Sequence, residues 1–374
     1  MTAWQEVRAE FPGLQGRTFL DTATFGQLPR RTVEAVSRHF ARRDETACRD
    51  FLSWFDDAES ARASVAQLIH ASADDIAFVQ NASTALATVI AGIAWRPGDR
   101  VVTLAHEFPN NLYAPAPLVE RGVEFVETEW ERFEDALSER TRLVLLSTLN
   151  YATGFRPPLE TIGPRLRESG IALYVDGTQS VGALRFDVRR VQPAVLAVHG
   201  YKWLLCPNGC GFLYVRPDVR EWLPANVVGW RSHHDWRNVD NLHHGRPQPS
   251  SRAEKYEGGM LAMPLVYALA ASVNLHLELD PEAIEQRVMS LASELREILL
   301  AAGATVPDHG SQILTARFPG VDASALYQRL EARNVHVSAR HGALRVSAHF
   351  YNDEDDLARF REILLEEISP VTIG

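Results

Sequence analysis

The chain has 374 residues, of which 46% are hydrophobic and 23% charged, a composition typical of globular enzymes. Its formal net charge of −10 argues against nucleic acid as a general partner. No apolar run is long enough to cross a membrane, the first residues do not resemble a signal peptide, and three cysteines are too few for a disulfide framework. We therefore expect a cytoplasmic protein with no membrane partner, divided into a large and a small domain.

The first two thirds of the chain alternate between helical periodicity and short apolar runs. Residues 2–11 predict a short amphipathic helix, residues 31–69 a continuous helical stretch, and residues 85–93 an apolar helix. The predicted strands of this part cover residues 17–21, 76–79, 100–104, 142–147, 171–175, 195–198 and 212–215. Apolar runs of this length are typical of buried parallel strands, and open α/β sheets hold their ligands at the carboxyl ends of such strands.

The C-terminal third predicts a second structural unit, entered through a long apolar helix from Pro264 to His276. The elements expected after it are helices over residues 281–303, 323–333 and 353–367 and strands over residues 313–318, 335–338 and 342–347. This mixture of helices and strands indicates a small α+β domain.

An aspartate and a lysine follow two of the predicted buried strands. Asp176 ends the run 171–175, and Lys202 comes shortly after the run 195–198. A pyridoxal phosphate enzyme needs this pair, because the lysine forms a Schiff base and the aspartate pairs with the pyridinium nitrogen. Taken alone, Asp176 could be an ordinary helix cap and Lys202 a solvated surface charge. A lysine without a function between two apolar runs, however, would lower the stability of the fold. Gln179 is a further candidate, for the phenolate oxygen of the ring.

Small and hydroxyl residues mark the start of the helix after strand 76–79. Ala82, Ser83 and Thr84 lie where free backbone N–H groups and the positive end of the helix dipole would face an anion. Ser and Thr are also common helix caps, so this signal alone is weak. Together with Asp176 and Lys202 it favours a site for the cofactor phosphate.

These residues resemble the class V aminotransferase family of pyridoxal phosphate enzymes, and the similarity extends from the segment 174–215 to the C-terminal signature in residues 343–352. The resemblance implies an α/β fold of type I, with a large domain at 15–270 built on a mostly parallel seven-stranded sheet. It also implies a small α+β domain at 271–374, with residues 1–14 packing on it. Pyridoxal 5'-phosphate, an amino acid substrate and a homodimer with shared active sites are the expected partners.

The resemblance also implies roles beside the cofactor. Phe108, in a pattern similar to that of kynureninase, would stack on the ring, with His106 as second choice. Asn150 would hold the ring oxygen or the substrate carboxylate. His199 and Tyr201, on either side of the lysine, would bind the phosphate.

Other roles implied by the resemblance concern the substrate and a second subunit. Arg345 would bind the substrate carboxylate, assisted by Arg340, since a guanidinium suits bidentate binding. Phe25 and Trp230 are expected beside the substrate, and for Phe25 a plain connecting turn is an equal alternative. The backbone at Gly259 and Met260 would reach the partner's phosphate.

Two groups of residues allow a metal hypothesis. The first comprises His233, His234, Asp235, His243 and His244, in a long irregular stretch that we interpret as a loop directed to the partner subunit. The second is Cys206 and Cys210, whose spacing lacks the second cysteine pair of a zinc site. We therefore predict no metal, and two packed thiols in a tight turn.

Reaction type is the least determined feature. If Phe108 covers one face of the ring, Lys202 is the only obvious proton carrier near the α carbon, which suits a proton shift or an elimination. We rank transamination first, lyase chemistry (C–S cleavage or a kynureninase-like reaction) second and epimerisation third. A non-catalytic protein that kept the fold as a scaffold is disfavoured, because Asp176, Lys202 and Arg345 are all present. Residues 335–344 contain no cysteine, so we also predict that the protein is not a persulfide-forming cysteine desulfurase.

Overall fold

The structure is a computed structural model, and it describes residues 4–242 and 245–368. The strands of the described residues, in chain order, are β1 (Thr18–Phe19), β2 (Ile76–Val79), β3 (Arg100–Leu104), β4 (Glu124–Thr128), β5 (Thr141–Ser147), β6 (Ala172–Asp176), β7 (Val195–His199), β8 (Gly211–Val215), β9 (Leu314–Ala316), β10 (Val335–His336), β11 (Ser338–Arg340) and β12 (Ala343–Val346).

The helices of the described residues, again in chain order, are α1 (Trp4–Arg8), α2 (Arg30–Thr46), α3 (Phe51–Ile69), α4 (Ala82–Gly92), α5 (Pro109–Tyr113), α6 (Phe133–Ala136), α7 (Leu159–Glu168), α8 (Val188–Val191), α9 (Pro217–Trp222), α10 (Met263–Glu278), α11 (Pro281–Ala301), α12 (Ala323–Ala332) and α13 (Glu354–Ile368). Among them, none combines the length and the apolar character that crossing a bilayer requires.

A seven-stranded sheet, mostly parallel, forms the centre of the fold, as predicted. Its strand order is β2-β8-β7-β6-β5-β3-β4, with parallel pairing from β4 to β7 and antiparallel pairing of β8 with β2 and β7. β4 was not expected from the sequence. It lies at the sheet edge and its residues are exposed or half-buried, so it lacks the apolar run by which its neighbours were found.

Both faces of the sheet are buried, because alternate residues of each strand point to opposite sides. In β5, Val144 and Leu146 belong to the apolar cluster that includes residues of α3, α7 and α10. Leu143 and Leu145 belong to a second cluster, which includes residues of α4. This double burial explains why the central strands read as continuous apolar runs.

Residues 31–69 form two helices, not the single stretch predicted. α2 ends before Ala47 and Cys48, which have positive φ angles of 48° and 61°. Two successive residues in the left-handed region end a helix. Neither residue is glycine, so no local signal in the sequence indicated this break.

The C-terminal part contains the helices and strands expected of an α+β unit. β11, β12 and β9 form an antiparallel sheet in that order, and residues of α11, α12 and α13 share an apolar cluster with it. β1 lies outside the large sheet and pairs in parallel with β10. The division into domains at 15–270 and 271–374 stays a prediction.

Two buried arginines converge on one buried carboxylate between α3 and the segment after α9. Glu257 accepts from Arg62 Nη1 at 2.5 Å and from Arg231 Nη2 at 3.0 Å, and the Phe78 N–H donates to the same carboxylate at 2.7 Å. All three charged side chains are almost fully buried. This carboxylate therefore joins the start of the sheet to the irregular segment near residue 230.

Replacing Glu257 by glutamine should lower the free energy of unfolding by about 3–5 kcal/mol, because two buried guanidinium groups lose their shared counter-charge. Glu160→Gln is the matched control. It removes an exposed carboxylate paired with Arg190, and should change the free energy by no more than about 1 kcal/mol. Denaturant unfolding of both variants measures the difference, and equal small effects would contradict the prediction.

Candidate active site

The carboxyl ends of β5, β6 and β7 meet on one side of the sheet. Ser147, the last residue of β5, is the register partner of Asp176 at the end of β6, and Asp176 is the partner of Ala197 in β7. Three residues after β7, Lys202 returns to the same place. The parallel pairing of three neighbouring strands thus gathers polar side chains at one edge, as the sequence predicted.

A cavity of about 310 Å³ lies at this edge. Its walls are formed by Asn81, Ala82, Ser83, Phe108, Asn110, Ser147, Leu149, Tyr151, Asp176, Thr178, Gln179, His199, Tyr201 and Lys202. Eight of these had been selected from the sequence: Ala82, Ser83, Phe108, Asp176, Gln179, His199, Tyr201 and Lys202. The structure therefore brings together most of the residues predicted to surround the cofactor.

Lys202 places a buried amine in this cavity. The side chain is 7% exposed, and its Nζ lies 5.3 Å from the centre of the Tyr201 ring and 5.6 Å from that of Phe108. Burial, reinforced by the positive charge of Arg345, lowers the pKa of Lys202 from 10.5 to about 8, although Asp176 acts in the opposite direction. Such an amine is partly neutral near neutral pH, as a nucleophile or base must be.

The backbone at Lys202 is fixed by close packing. A Cβ on Gly26 would lie 2.0 Å from Lys202 O, and one on Gly182 would lie 2.3 Å from Trp203 O, so both positions require glycine. The Trp203 carbonyl also lies within hydrogen-bonding distance of two buried imidazoles, those of His276 (3.0 Å) and His349 (2.9 Å). The lysine side chain therefore projects from a rigid turn.

Asp176 is the buried carboxylate opposite this amine. Its Oδ1 accepts from the Thr178 N–H at 2.9 Å. Burial raises its pKa, while the bonds from Thr178 and the charge of Lys202 lower it. A buried carboxylate on the wall of a cavity suits a cationic ring nitrogen as partner.

His199 lies beside Tyr201 and is uncharged. Burial, together with the charge of Lys202, lowers the pKa of His199 to about 4. Its ring contacts that of Tyr201 edge-on at 4.4 Å, and its backbone N–H donates to Thr178 Oγ1 at 3.1 Å. A neutral imidazole can offer an anion a hydrogen bond without adding charge.

The N-terminus of α4 opens on the cavity through Ala82 and Ser83. Asn81 caps the helix and accepts from the Thr84 N–H at 2.8 Å, and Thr84 Oγ1 donates to the same oxygen at 3.1 Å. Thr84 is therefore occupied by the cap and does not form part of the wall. The amine, the carboxylate and this helix start around one cavity match the three ends of pyridoxal phosphate: its aldehyde, its ring nitrogen and its phosphate.

Several predicted residues lie elsewhere or are already bonded. Asn150 does not line the cavity: its Nδ2 donates to His106 O at 2.9 Å and its Oδ1 accepts from the N–H groups of Ala152 and Thr153. His106 itself is exposed and turned away from the wall. Gln179 forms part of the wall, but its amide donates to Ala23 O and accepts from Trp203 Nε1.

Arg345 is buried next to the cavity, not on its wall. Its guanidinium donates to Tyr151 O at 2.7 Å, to Asp21 Oδ1 at 3.1 Å and to Thr24 Oγ1. Arg340 reaches the same threonine at 3.3 Å from a half-buried position. Two guanidinium groups therefore lie together beside Tyr151, which is a wall residue.

The remaining predicted residues are on the surface. Phe25 is 48% exposed and contacts the Tyr201 ring at 5.0 Å, so it lies near the cavity. Trp230 is 37% exposed and contacts Phe55 and Trp236, and Met260, after Gly259, is 51% exposed. The cavity wall includes none of Trp230, Gly259 and Met260.

Six wall residues were not selected from the sequence: Asn81, Asn110, Ser147, Leu149, Tyr151 and Thr178. Ser147 and Thr178 had a usable signal, because each stands at the carboxyl end of a predicted strand or just beyond it. Tyr151 and Asn110 had none, since each lies in a turn or short helix whose direction depends on tertiary packing.

The metal hypotheses gain no support. Within residues 4–242 and 245–368, no group of three or more His, Cys, Asp and Glu side chains is arranged to hold an ion. His243 and His244 lie outside the described residues. Cys206 and Cys210 are buried free thiols in one apolar cluster, and burial raises the pKa of Cys206 well above its ordinary value.

The Aminotransferase class-V family matches residues 18–360. The chain belongs to the class V aminotransferase family. A probable cysteine desulfurase of Methanothermobacter thermautotrophicus is 27% identical over an alignment 398 positions long, which covers 98% of each chain. The cofactor of this class V protein is therefore pyridoxal phosphate, as predicted.

Two solved structures share the class V fold with this protein. The apo cysteine desulfurase of Thermococcus onnurineus NA1 superposes with a TM-score of 0.88, at 20% identity and 98% coverage of both chains. A complex of the cystine C–S lyase C-DES with its reaction product cysteine persulfide gives a TM-score of 0.85, at 23% identity, covering 95% of this chain and 99% of that one. These likenesses confirm the predicted type I fold.

The comparisons correct the predicted reaction. Transamination had been ranked first and a persulfide-forming cysteine desulfurase excluded, whereas curated relatives covering nearly the whole chain are named probable cysteine desulfurases. The exclusion is therefore wrong, and transamination as the specific reaction is not confirmed. The alternative of a class V lyase is better supported than the first choice.

The chain has two lysines, Lys202 and Lys255, which permits a direct titration of the cavity amine. In cofactor-free protein carrying ¹³C-methyl labels on its amines, the Lys202 signal should titrate with a midpoint near 8, because burial disfavours its charge. Lys202→Met assigns the signal. Lys255, whose Nζ donates to Arg220 O at 2.6 Å, is the internal reference. A Lys202 midpoint above 10 would contradict the assignment of a buried amine.

Proposed function

We propose that this protein is a pyridoxal phosphate-dependent lyase that cleaves the C–S bond of a sulfur-containing amino acid such as L-cysteine or L-cystine. The buried amine of Lys202, facing Asp176 in a cavity bounded by Phe108, is the observation that carries the proposal. The sulfur substrate is supported by the names of the curated relatives and by the cystine C–S lyase among the structural neighbours.

The proposed holders of the cofactor are the wall residues at its three ends. Lys202 would form the covalent bond, Asp176 would keep a proton on the ring nitrogen, and Phe108 would pack against the ring. Ala82 and Ser83 at the start of α4 would offer backbone N–H groups to the phosphate, together with His199 and Tyr201. When bound, pyridoxal phosphate accepts the electron pair released at the substrate α carbon.

Lys202 is also the proposed base. When it is not attached to the cofactor, its Nζ would take the proton from the α carbon, and the sulfur would leave from the β carbon with the electron pair of the C–S bond. With a pKa near 8, about a tenth of this amine is neutral at pH 7, against roughly 0.03% for an ordinary lysine. The Phe108 side chain itself can neither accept nor donate a proton, which favours elimination over epimerisation.

The substrate carboxylate is assigned to Arg345, with Arg340 beside it. Arg345 is already bonded to Tyr151, Asp21 and Thr24, so a carboxylate must compete with these oxygens for its donors. This competition limits the affinity. Phe25, at the surface next to Tyr201, would then cover the mouth of the cavity.

The function is tested by mixing the cofactor-loaded protein with a panel of L-amino acids and identifying the products. L-Cysteine or L-cystine should yield pyruvate, ammonia and a sulfur product, either sulfide or a persulfide. Other amino acids should react at least about 100-fold more slowly, since they lack a sulfur leaving group. Release of the substrate's own 2-oxo acid, with the cofactor left in its amine form, would contradict the proposal.

The two lysines supply the matched controls for this experiment. Lys202→Ala should abolish borohydride trapping of the cofactor and reduce turnover by at least about 10³-fold. Lys255→Ala should retain both, because Lys255 lies outside the cavity wall.

We further propose a homodimer whose subunits complete each other's sites. Its support is a set of exposed apolar residues in the segment predicted to reach the partner: Val227, Val228, Trp230 and Met260. Sedimentation equilibrium should give twice the chain mass of 41.8 kDa, and Val228→Asp should weaken the association. A monomer at micromolar concentration with full activity would refute this proposal. The cytoplasmic location stays a prediction, which three free cysteines support.

A further inference from the structure

We propose that Glu107 is a positioning residue of this site: its buried carboxylate fixes Phe108 and Ser147 on the cavity wall and adds a second negative charge behind Asp176. This inference rests on the proposed cofactor site at Lys202. Glu107 does not itself line the cavity, and none of the roles described above involves it.

Four donors converge on the Glu107 carboxylate. Oε1 accepts from the Ser147 N–H at 2.7 Å. Oε2 accepts from Ser147 Oγ at 2.5 Å, from Asn111 Nδ2 at 3.2 Å and from the Phe108 N–H at 3.3 Å. Because a carboxylate has acceptor sites only, one ionised group can satisfy all four donors at once.

The donors lie on two neighbouring segments that both contribute to the wall. Phe108 precedes α5 at the end of the β3 segment, and Ser147 is the last residue of β5. The carboxylate therefore connects the turn that carries the proposed stacking ring to the strand that pairs with Asp176. A change in this carboxylate would move the ring of Phe108 relative to the amine of Lys202, 5.6 Å from its centre.

The charge of Glu107 acts in the same region. The pKa of Glu107 is raised to about 7, mainly by burial and in smaller part by the negative charge of Asp176. The bonds from Ser147 act in the opposite direction. Glu107 therefore becomes ionised as the pH rises through 7. Around Lys202, Asp176 and Asp21 favour the protonated nitrogen, whereas Arg345 and Arg340 disfavour it. Because the charges of Glu107 and Asp176 interact, an ionised Glu107 adds to the negative charge that favours the protonated nitrogen.

Glu107→Gln keeps the shape of the side chain and removes its charge. The new amide group must direct its N–H₂ either at the Ser147 N–H or at the donors of Phe108 and Asn111, so one wall contact is lost in either orientation. The cofactor-loaded variant should bind pyridoxal phosphate about tenfold more weakly. The pH midpoint of its visible band, which reports the proton on the nitrogen of Lys202, should fall by about half a unit or more. The difference should be largest above pH 7.

Glu129→Gln is the matched control, since Glu129 is an exposed carboxylate just after β4 and near His106, and it should change neither quantity. Unaltered affinity and midpoint in Glu107→Gln would overturn the proposal, even if the variant melted earlier, because a merely structural role would affect stability alone. If Glu107→Gln does not fold, Asn111→Ala is the second variant, since it removes one donor to the carboxylate at a residue outside the wall. It should weaken cofactor binding about threefold. Unchanged binding in this variant would also overturn the proposal. Failure of the wild-type protein to attach the cofactor at Lys202 would instead refute the proposed function.

Discussion

The parallel register of β5, β6 and β7 is the constraint on which the site depends. It sets Ser147, Asp176 and Ala197 side by side, so the next few residues of each strand leave the sheet at one place. Because both faces of these strands are covered by apolar clusters, a slip of register would expose a buried face. The packing that stabilises the fold therefore also determines which polar groups meet at Lys202.

Buried charge is the second constraint, because charged groups of both signs surround the buried amine. Lys202 lies between the negative charges of Asp176 and Asp21 and the positive charges of Arg345 and Arg340. No single pair neutralises it, so burial prevails and the lysine pKa falls. A tight ion pair would instead hold the amine in its charged form. An amine left without a dedicated counter-ion can alternate between covalent attachment and proton transfer.

Apolar periodicity and strand-end motifs are local signals, and they predicted the central strands and the cavity residues Asp176 and Lys202. The resemblance to the class V family implied the type I fold and the places of Phe108, His199 and Tyr201. Prediction from the sequence failed where tertiary packing decides. Asn150 has the motif position of a ligand, but its amide closes a turn between His106 and Thr153. The edge strand β4 has no apolar run, and the break at Ala47 and Cys48 involves no glycine. Glu107, adjacent in sequence to two candidates, was not selected as a site residue.

The incorrect exclusion of a persulfide-forming cysteine desulfurase has a chemical explanation. It rested on the lack of a cysteine in residues 335–344, which concerns where sulfur goes after it leaves the substrate. Cleavage of the C–S bond depends instead on removing the α proton and on holding the resulting electron pair, tasks of Lys202, Asp176 and the cofactor. A search for thiols in the sequence therefore tests the acceptor of the sulfur and not the bond that breaks. The geometry around Lys202 bears on the bond itself, and it is the basis of the elimination from the β carbon that we propose.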